Sequence, residues 1–158
     1  MDDPSDPTAP PWSASPTVKQ KNAVQRAVTA LLDELAPERV VTRGERIRGA
    51  IEQHRTPSGC VLQAATAALS VSWFAEEDAS APAALGELHV LVWRGVVSRR
   101  GATQKPDGAT MVKELVLTPT ALATGDYAWR ARDGKEYDTA ALAAECIALL
   151  EEQIRASP

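Results

Sequence analysis

The chain has 158 residues, 44% of them hydrophobic and 24% charged, which is enough for one domain with its own core and too few for two. A formal net charge of -4 argues against a protein that binds nucleic acid by overall attraction, and leaves only a local basic surface for that purpose. No apolar run approaches the roughly 20 residues of a membrane span, and the first residues are acidic and rich in proline, so we expect a cytoplasmic protein without a membrane segment or a signal peptide.

Candidate catalytic and metal-binding residues are few. The two cysteines, Cys60 and Cys146, lie in apolar helical patterns without metal-ligand spacing, so we expect two buried, reduced thiols. Nothing near the two histidines, His54 and His89, suggests the cysteine or carboxylate partners of a metal or nucleophile site. The sequence also has no glycine-rich phosphate loop, paired carboxylates or activated nucleophile, so we expect no enzyme, no metal and no cofactor.

The chain begins with a segment that is poor in apolar residues. Residues 1–16 hold five prolines and three aspartates, which predicts a disordered tail, and residues 17–158 are expected to form a single domain. Val24, Val28, Leu31 and Leu35 then recur at helical spacing and predict an amphipathic helix over residues 17–36.

The next part of the chain predicts two more helices. Thr42 and Glu45 have the spacing of a capping box, so a short second helix is expected to run to about Arg55. Thr56-Pro57 repeats the signature of a cap followed by proline, and an alanine-rich apolar pattern continues to Leu69. We therefore expect a third helix, which with the second would support a DNA-reading helix.

Residues 80–119 contain the pattern on which the fold prediction depends. Ser80 can cap a helix over residues 81–94, whose leucines recur at helical spacing, and Gly95 supplies its stop. Residues 96–99 then read as a strand, the turn signals Pro106-Asp107-Gly108 follow, and residues 111–117 return as a second strand. A helix followed by a β-hairpin is the pattern of a winged helix.

The same stretch resembles a known family. Residues 91–100 (LVWRGVVSRR), Asp107 near the hairpin tip and residues 115–119 (LVLTP) are similar to the wing of MarR-like and PadR-like winged-helix regulators. The resemblance covers about residues 80–120. It implies a DNA-binding regulator, and it implies a homodimer, because the first and last helices of MarR-like subunits interleave.

The end of the chain contains the second of the two helices expected to form that dimer. Asp133-Gly134 is a hairpin-type turn signal that allows a small two-stranded excursion, although we prefer an extended loop covering the core. Leu142, Ile147 and Leu150 lie on a broad apolar side of a last helix over residues 138–156. This apolar side has two interpretations: it forms a dimer interface with a second subunit, or it packs within one monomer.

The predicted fold is therefore mainly α-helical with a small β-hairpin. It is a winged helix-turn-helix domain with its core at residues 42–120 and with N- and C-terminal dimerisation helices at residues 17–36 and 138–156.

The leading functional hypothesis is a DNA-binding transcriptional regulator that acts as a dimer. It would contact duplex DNA through the helix 81–94 and the wing 96–117. The basic residues placed to hold DNA phosphates are Arg94, Arg99, Arg100, Lys105 and Lys113. The alternative is a winged-helix module for protein–protein interaction without base reading, because Ala81 to Trp93 contains no arginine, lysine, asparagine or glutamine.

Overall fold

In the part of the chain that the structure describes, an antiparallel sheet is covered on one face by two helices. A computed structural model describes residues 17–36, 51–76, 85–97 and 109–156. The elements in chain order are α1 (Val18–Glu34), β1 (Glu52–Thr56), β2 (Gly59–Gln63), β3 (Ala67–Ala75), β4 (Gly86–Arg94), β5 (Thr110–Ala121), β6 (Tyr127–Ala131), β7 (Glu136–Tyr137) and α2 (Thr139–Ala156). Each described strand pairs with the next along the chain, in the order β1-β2-β3-β4-β5-β6-β7. This two-layer architecture is not a winged helix, so the predicted mainly α-helical fold is wrong.

The predicted reading helix over residues 81–94 is wrong in the part that the structure describes, because residues 86–94 form strand β4. Leu88, Val90 and Val92 are buried among the helices, whereas Glu87 and the alternate residues after it face the other side. That is the period of two of a strand, and the leucine spacing also fits a helix over so short a stretch. Strand pairing with β3 and β5 on both sides decided between the two. Gly95, predicted as a helix stop, has a φ of +98° where the chain leaves β4.

The second and third predicted helices are also wrong wherever the structure describes them. Glu52–Thr56 is a strand, and Gly59–Gln63 forms a hairpin with it, so Thr56-Pro57 begins a tight turn and not a helix. Gly59 is required there, because a Cβ atom would meet the carbonyl oxygen of Val71 on β3. The capping-box residues Thr42 and Glu45 lie outside the described residues, as does the predicted tail 1–16.

The predictions for the rest of the chain have mixed outcomes. The first and last helices are present as α1 and α2, and the predicted strand 111–117 lies within β5. Asp133-Gly134 is the turn of the β6–β7 hairpin, so the preferred extended loop is wrong and the two-stranded alternative is right. Cys60 and Cys146 are buried free thiols, as expected.

The main core lies between the helices and the sheet. Trp129 is fully buried at its centre, and the ring of Trp73 meets it edge-on with 5.7 Å between centroids. Leu149 and Leu150 of α2 are both buried within this one chain, because α2 packs against α1 and against the sheet. The wide apolar side of α2 is therefore buried within one chain. A homodimer stays a prediction, but the apolar side of α2 is no longer a reason for it.

Polar contacts fix α1 to the β1–β2 hairpin. Gln53 donates a hydrogen bond to the carbonyl oxygen of Leu35 at 3.1 Å, and Arg55 contacts Asp33 at 2.8 Å. At the other end of α1, Thr17 forms a capping box with Gln20, which satisfies two of the backbone donors that the helix leaves without an internal partner. These contacts position α1 over β1 and β2.

The sheet face opposite the helices, which we call the outer face, carries a second apolar cluster. The indole N–H of Trp93 donates to the hydroxyl of Ser70 on β3 at 3.1 Å, and the ring packs with Ala68, Val97 and Ala109. The cluster buries the hydroxyl of Ser70, which is satisfied by that hydrogen bond.

We expect the core packing of α2 to dominate stability. Leu150→Ala removes a fully buried side chain and should lower the free energy of unfolding by about 2–5 kcal/mol. Leu122→Ala, at a side chain that is 44% exposed, is the matched control and should change it by less than about 0.5 kcal/mol. Urea denaturation measures both, and equal effects would contradict the proposed core.

The two thiols should make stability fall at alkaline pH. Burial raises the pKa of Cys60 from 9.0 to about 12 and raises the pKa of Cys146 as well. The unfolded chain then loses its thiol protons near pH 9, whereas the folded chain keeps them, so this stabilisation is complete below about pH 9 and is lost progressively above it. A Cys60→Ala, Cys146→Ala double variant should show a flatter decline between pH 9 and 11 in denaturant titrations, and an unchanged slope would contradict the assignment.

Candidate binding site at the edge of β5

β5 is longer than the strands that pair with it, and this creates a step in the sheet. β4 pairs with β5 from Thr110 to Leu117, whereas β6 pairs only from Leu117 to Ala121. Residues 110–116 therefore have β4 on one side and no described strand on the other. We call this the free edge of β5.

The backbone groups along the free edge alternate in direction. The amide of Leu122 donates to the carbonyl oxygen of Asp126 at 2.8 Å, which shows that the even-numbered residues from Glu114 to Thr120 direct their backbone groups away from β4. By this alternation Glu114 and Val116 present their backbone groups on the free edge, and Leu115 bonds within the sheet. The free edge thus offers donors and acceptors that no described strand uses.

A β-bulge shapes the beginning of the free edge. Val92 of β4 pairs with Lys113, but Trp93, the next residue, pairs with Met111. Val112 is therefore the extra residue on β5, and its side chain is 39% exposed. A bulge of this kind turns a side chain away from its regular position and is frequent beside binding sites.

A small cleft opens between the free edge and the last turns of α2. Its volume is about 190 Å³, and its lining residues are Val92, Val112, Lys113, Leu149, Glu152, Gln153 and Ala156. The buried side chains of Val92 and Leu149 give it an apolar base. Lys113 and Glu152 bring one charge of each sign, so the lining has no net charge.

Exposed apolar side chains concentrate at this end of the sheet. Of the six large hydrophobic side chains that are exposed in the described residues, Val96, Met111 and Val112 lie beside the β4–β5 connection. Arg94 pairs with Thr110, which brings Val96 near the beginning of β5. Val112 lines the cleft, whereas Met111 pairs with Trp93 and therefore faces the outer side of the sheet. The exposed apolar side chains thus lie on both faces at this end of the sheet.

The structure describes two of the five predicted DNA-binding residues. Arg94 is exposed at the end of β4, and Lys113 lies on β5, where it lines the cleft. Arg99, Arg100 and Lys105 lie outside the described residues. The sequence reasoning missed the free edge, because nothing in a linear pattern tells where β6 stops pairing. The adjacent Met111 and Val112, which break the alternation of a strand, were the one signal of the bulge.

The part of the chain that the structure describes has few side-chain arrangements of the kind that catalysis or metal binding uses. No group of three or more potential metal-ligating side chains occurs there. His89 contacts Glu87 at 3.2 Å, and the ring of Phe74 meets His89 edge-on at 5.0 Å between centroids. This pair lies on the outer face, away from the cleft. Neither of the described helices is both long enough and apolar enough to cross a membrane.

No protein-family model, curated protein or solved structure matches this chain.

The direction of the edge amides predicts an alternating pattern of hydrogen exchange. The amides of Glu114 and Val116 should exchange rapidly, because they have no described acceptor, whereas those of Leu115 and Leu117 should be protected by β4. Exchange measured residue by residue by NMR tests this. Equal protection of all four amides would show that another part of the chain occupies the free edge.

Proposed function

We propose that this protein is a protein-binding module whose binding surface is the end of the sheet that carries the free edge of β5 and the cleft beside α2. The observation that carries the proposal is the concentration of exposed apolar side chains there, at Val96, Met111 and Val112. Exposed apolar surface next to polar residues is typical of a site that another protein covers. The proposal retains the interaction function considered from the sequence, without the winged helix.

The chemistry of the surface supports a protein partner over a charged polymer. The cleft has an apolar base, and its lining charges, Lys113 and Glu152, are of opposite sign. Glu114 adds a further carboxylate on the neighbouring position of β5. A surface that binds DNA phosphates needs an excess of lysine and arginine, which the described residues here do not supply.

DNA binding stays a prediction. Its proposed reading helix is strand β4, so no described helix is available at that position for the major groove. Three of the five basic residues that it invokes lie outside the described residues. No feature of the described surface favours it.

Site-specific photocrosslinking tests the protein-binding proposal. A benzophenone amino acid replaces Met111, which is 48% exposed, or Leu122, which is 44% exposed and lies about 35 Å away along β5. The Met111 derivative should form a discrete adduct in cells that produce the protein, and the Leu122 derivative should not. Mass spectrometry identifies the adduct, and binding is then measured with the purified partner.

A second test compares two substitutions that introduce a negative charge, one inside the proposed binding surface and one outside it. Met111→Glu should weaken that binding by about tenfold or more, because it places a charge in an apolar contact, whereas Leu122→Glu should leave it unchanged. Adducts of equal yield from both positions, or none from Met111, would contradict the proposal.

A further inference from the structure

We infer that the ligand of this surface is an extended peptide segment of another protein, which adds to the sheet as a strand along the free edge of β5 and places an apolar side chain in the cleft. The inference rests on the proposed function and states its mode of recognition.

The first argument is the hydrogen-bonding capacity of the edge. Glu114 and Val116 direct their backbone N–H and C=O groups outward, and no described strand pairs there. Buried backbone groups need partners, so a protein that covers this surface must satisfy them. An extended peptide does so with its own main chain, which is the mode known as strand addition.

The second argument is the position of the cleft relative to the edge. Side chains of an added strand alternate between the two faces of the sheet, as those of β5 do. Those on the helix-covered face would lie beside Lys113 and Leu115, and Lys113 lines the cleft. One of them therefore enters the cleft, where Val92 and Leu149 favour an apolar group.

The outer face of the sheet also favours a particular kind of peptide side chain. A side chain of the added strand on the outer face would lie opposite Glu114, which is exposed. Opposite charges in directly paired positions are favourable, so a lysine or arginine is expected there. The expected ligand has a basic residue opposite Glu114 and an apolar residue on the other face, and it has no proline where its backbone pairs with the edge.

A second copy of this chain is a poorer occupant of the edge. β6 covers β5 from Leu117 onward in both copies, so only residues 110–116 are available to pair. In an antiparallel arrangement that pairs all of them, Lys113 lies opposite Lys113 of the second copy. Like charges in directly opposed positions are destabilising.

Selection from a random peptide library displayed on phage, with the full chain as the target, provides the ligand for the test. Glu114→Pro removes an outward N–H donor without removing a bond to β4, which is why proline is tolerated at such an edge. Glu114→Ala is the matched control, since it keeps the donor and loses only the carboxylate. Melting temperatures of both variants establish that each is folded.

Strand addition predicts three results for the selected peptides. They bind Glu114→Pro about tenfold or more weakly than the wild type and Glu114→Ala within about fivefold. N-methylation of single peptide amides abolishes binding at alternate positions, a readout that needs no variant of the protein. On binding, the amides of Glu114 and Val116 become protected from hydrogen exchange.

The cleft is tested separately. Ala156→Trp fills it, and Arg155→Trp adds the same side chain to the neighbouring position of α2 without lining it. The first variant should weaken the selected peptides by about tenfold or more and the second should not.

Four outcomes overturn the inference. They are failure to select any peptide, peptides that bind Glu114→Pro as well as the wild type, peptides insensitive to N-methylation, and a concentration-dependent dimer in light scattering that Glu114→Pro abolishes. A Met111 crosslink to a partner whose binding Glu114→Pro does not change would retain the protein-binding function and reject strand addition.

Discussion

The fold depends on burying one face of a long antiparallel sheet beneath two helices. Side chains of a strand alternate between faces, so the register of each strand is fixed once one face is apolar and covered. Leu69, Leu88 and Leu117 occupy that face on three successive strands, and α1 and α2 close over them. A slip of one residue in β4 would replace Leu88 by Glu87 in the core.

The free edge of β5 follows from the lengths of the strands. β6 ends at Ala131, where the chain turns into β7, and it pairs only with Leu117–Ala121 of β5. β6 is therefore too short to cover β5 along its whole length. Exposed strand edges are a risk for aggregation, and Lys113, Glu114 and the bulge at Val112 are features that protect such an edge.

The sequence allowed some elements to be predicted and misled on others. The helical period was clearest in α1 and α2. There the apolar residues from Val24 to Leu35 and from Leu142 to Ile154 recur over many residues, and no strand pattern fits them as well. In and just before β4, Leu85, Leu88 and Leu91 fit a helix equally well, because the nine residues of the strand are too few to separate the two periods. In β2 and β3, alanine and the Thr56-Pro57 signature suggested a helix, and cross-strand pairing overrode that local preference.

The sequence by itself determined the two helices, the burial of both thiols and the second strand of the predicted wing, whereas at Asp133-Gly134 it allowed the observed hairpin but favoured a loop. Each depends on residues close together in the chain, whose local preferences agree with the final structure. The tertiary structure alone decided that the described residues between Glu52 and Arg94 form strands β1 to β4, that Leu149 and Leu150 are buried within one chain, and that β5 has a free edge beside a cleft. Those features depend on which strands meet and where their pairing ends, and such contacts join residues that are distant in sequence.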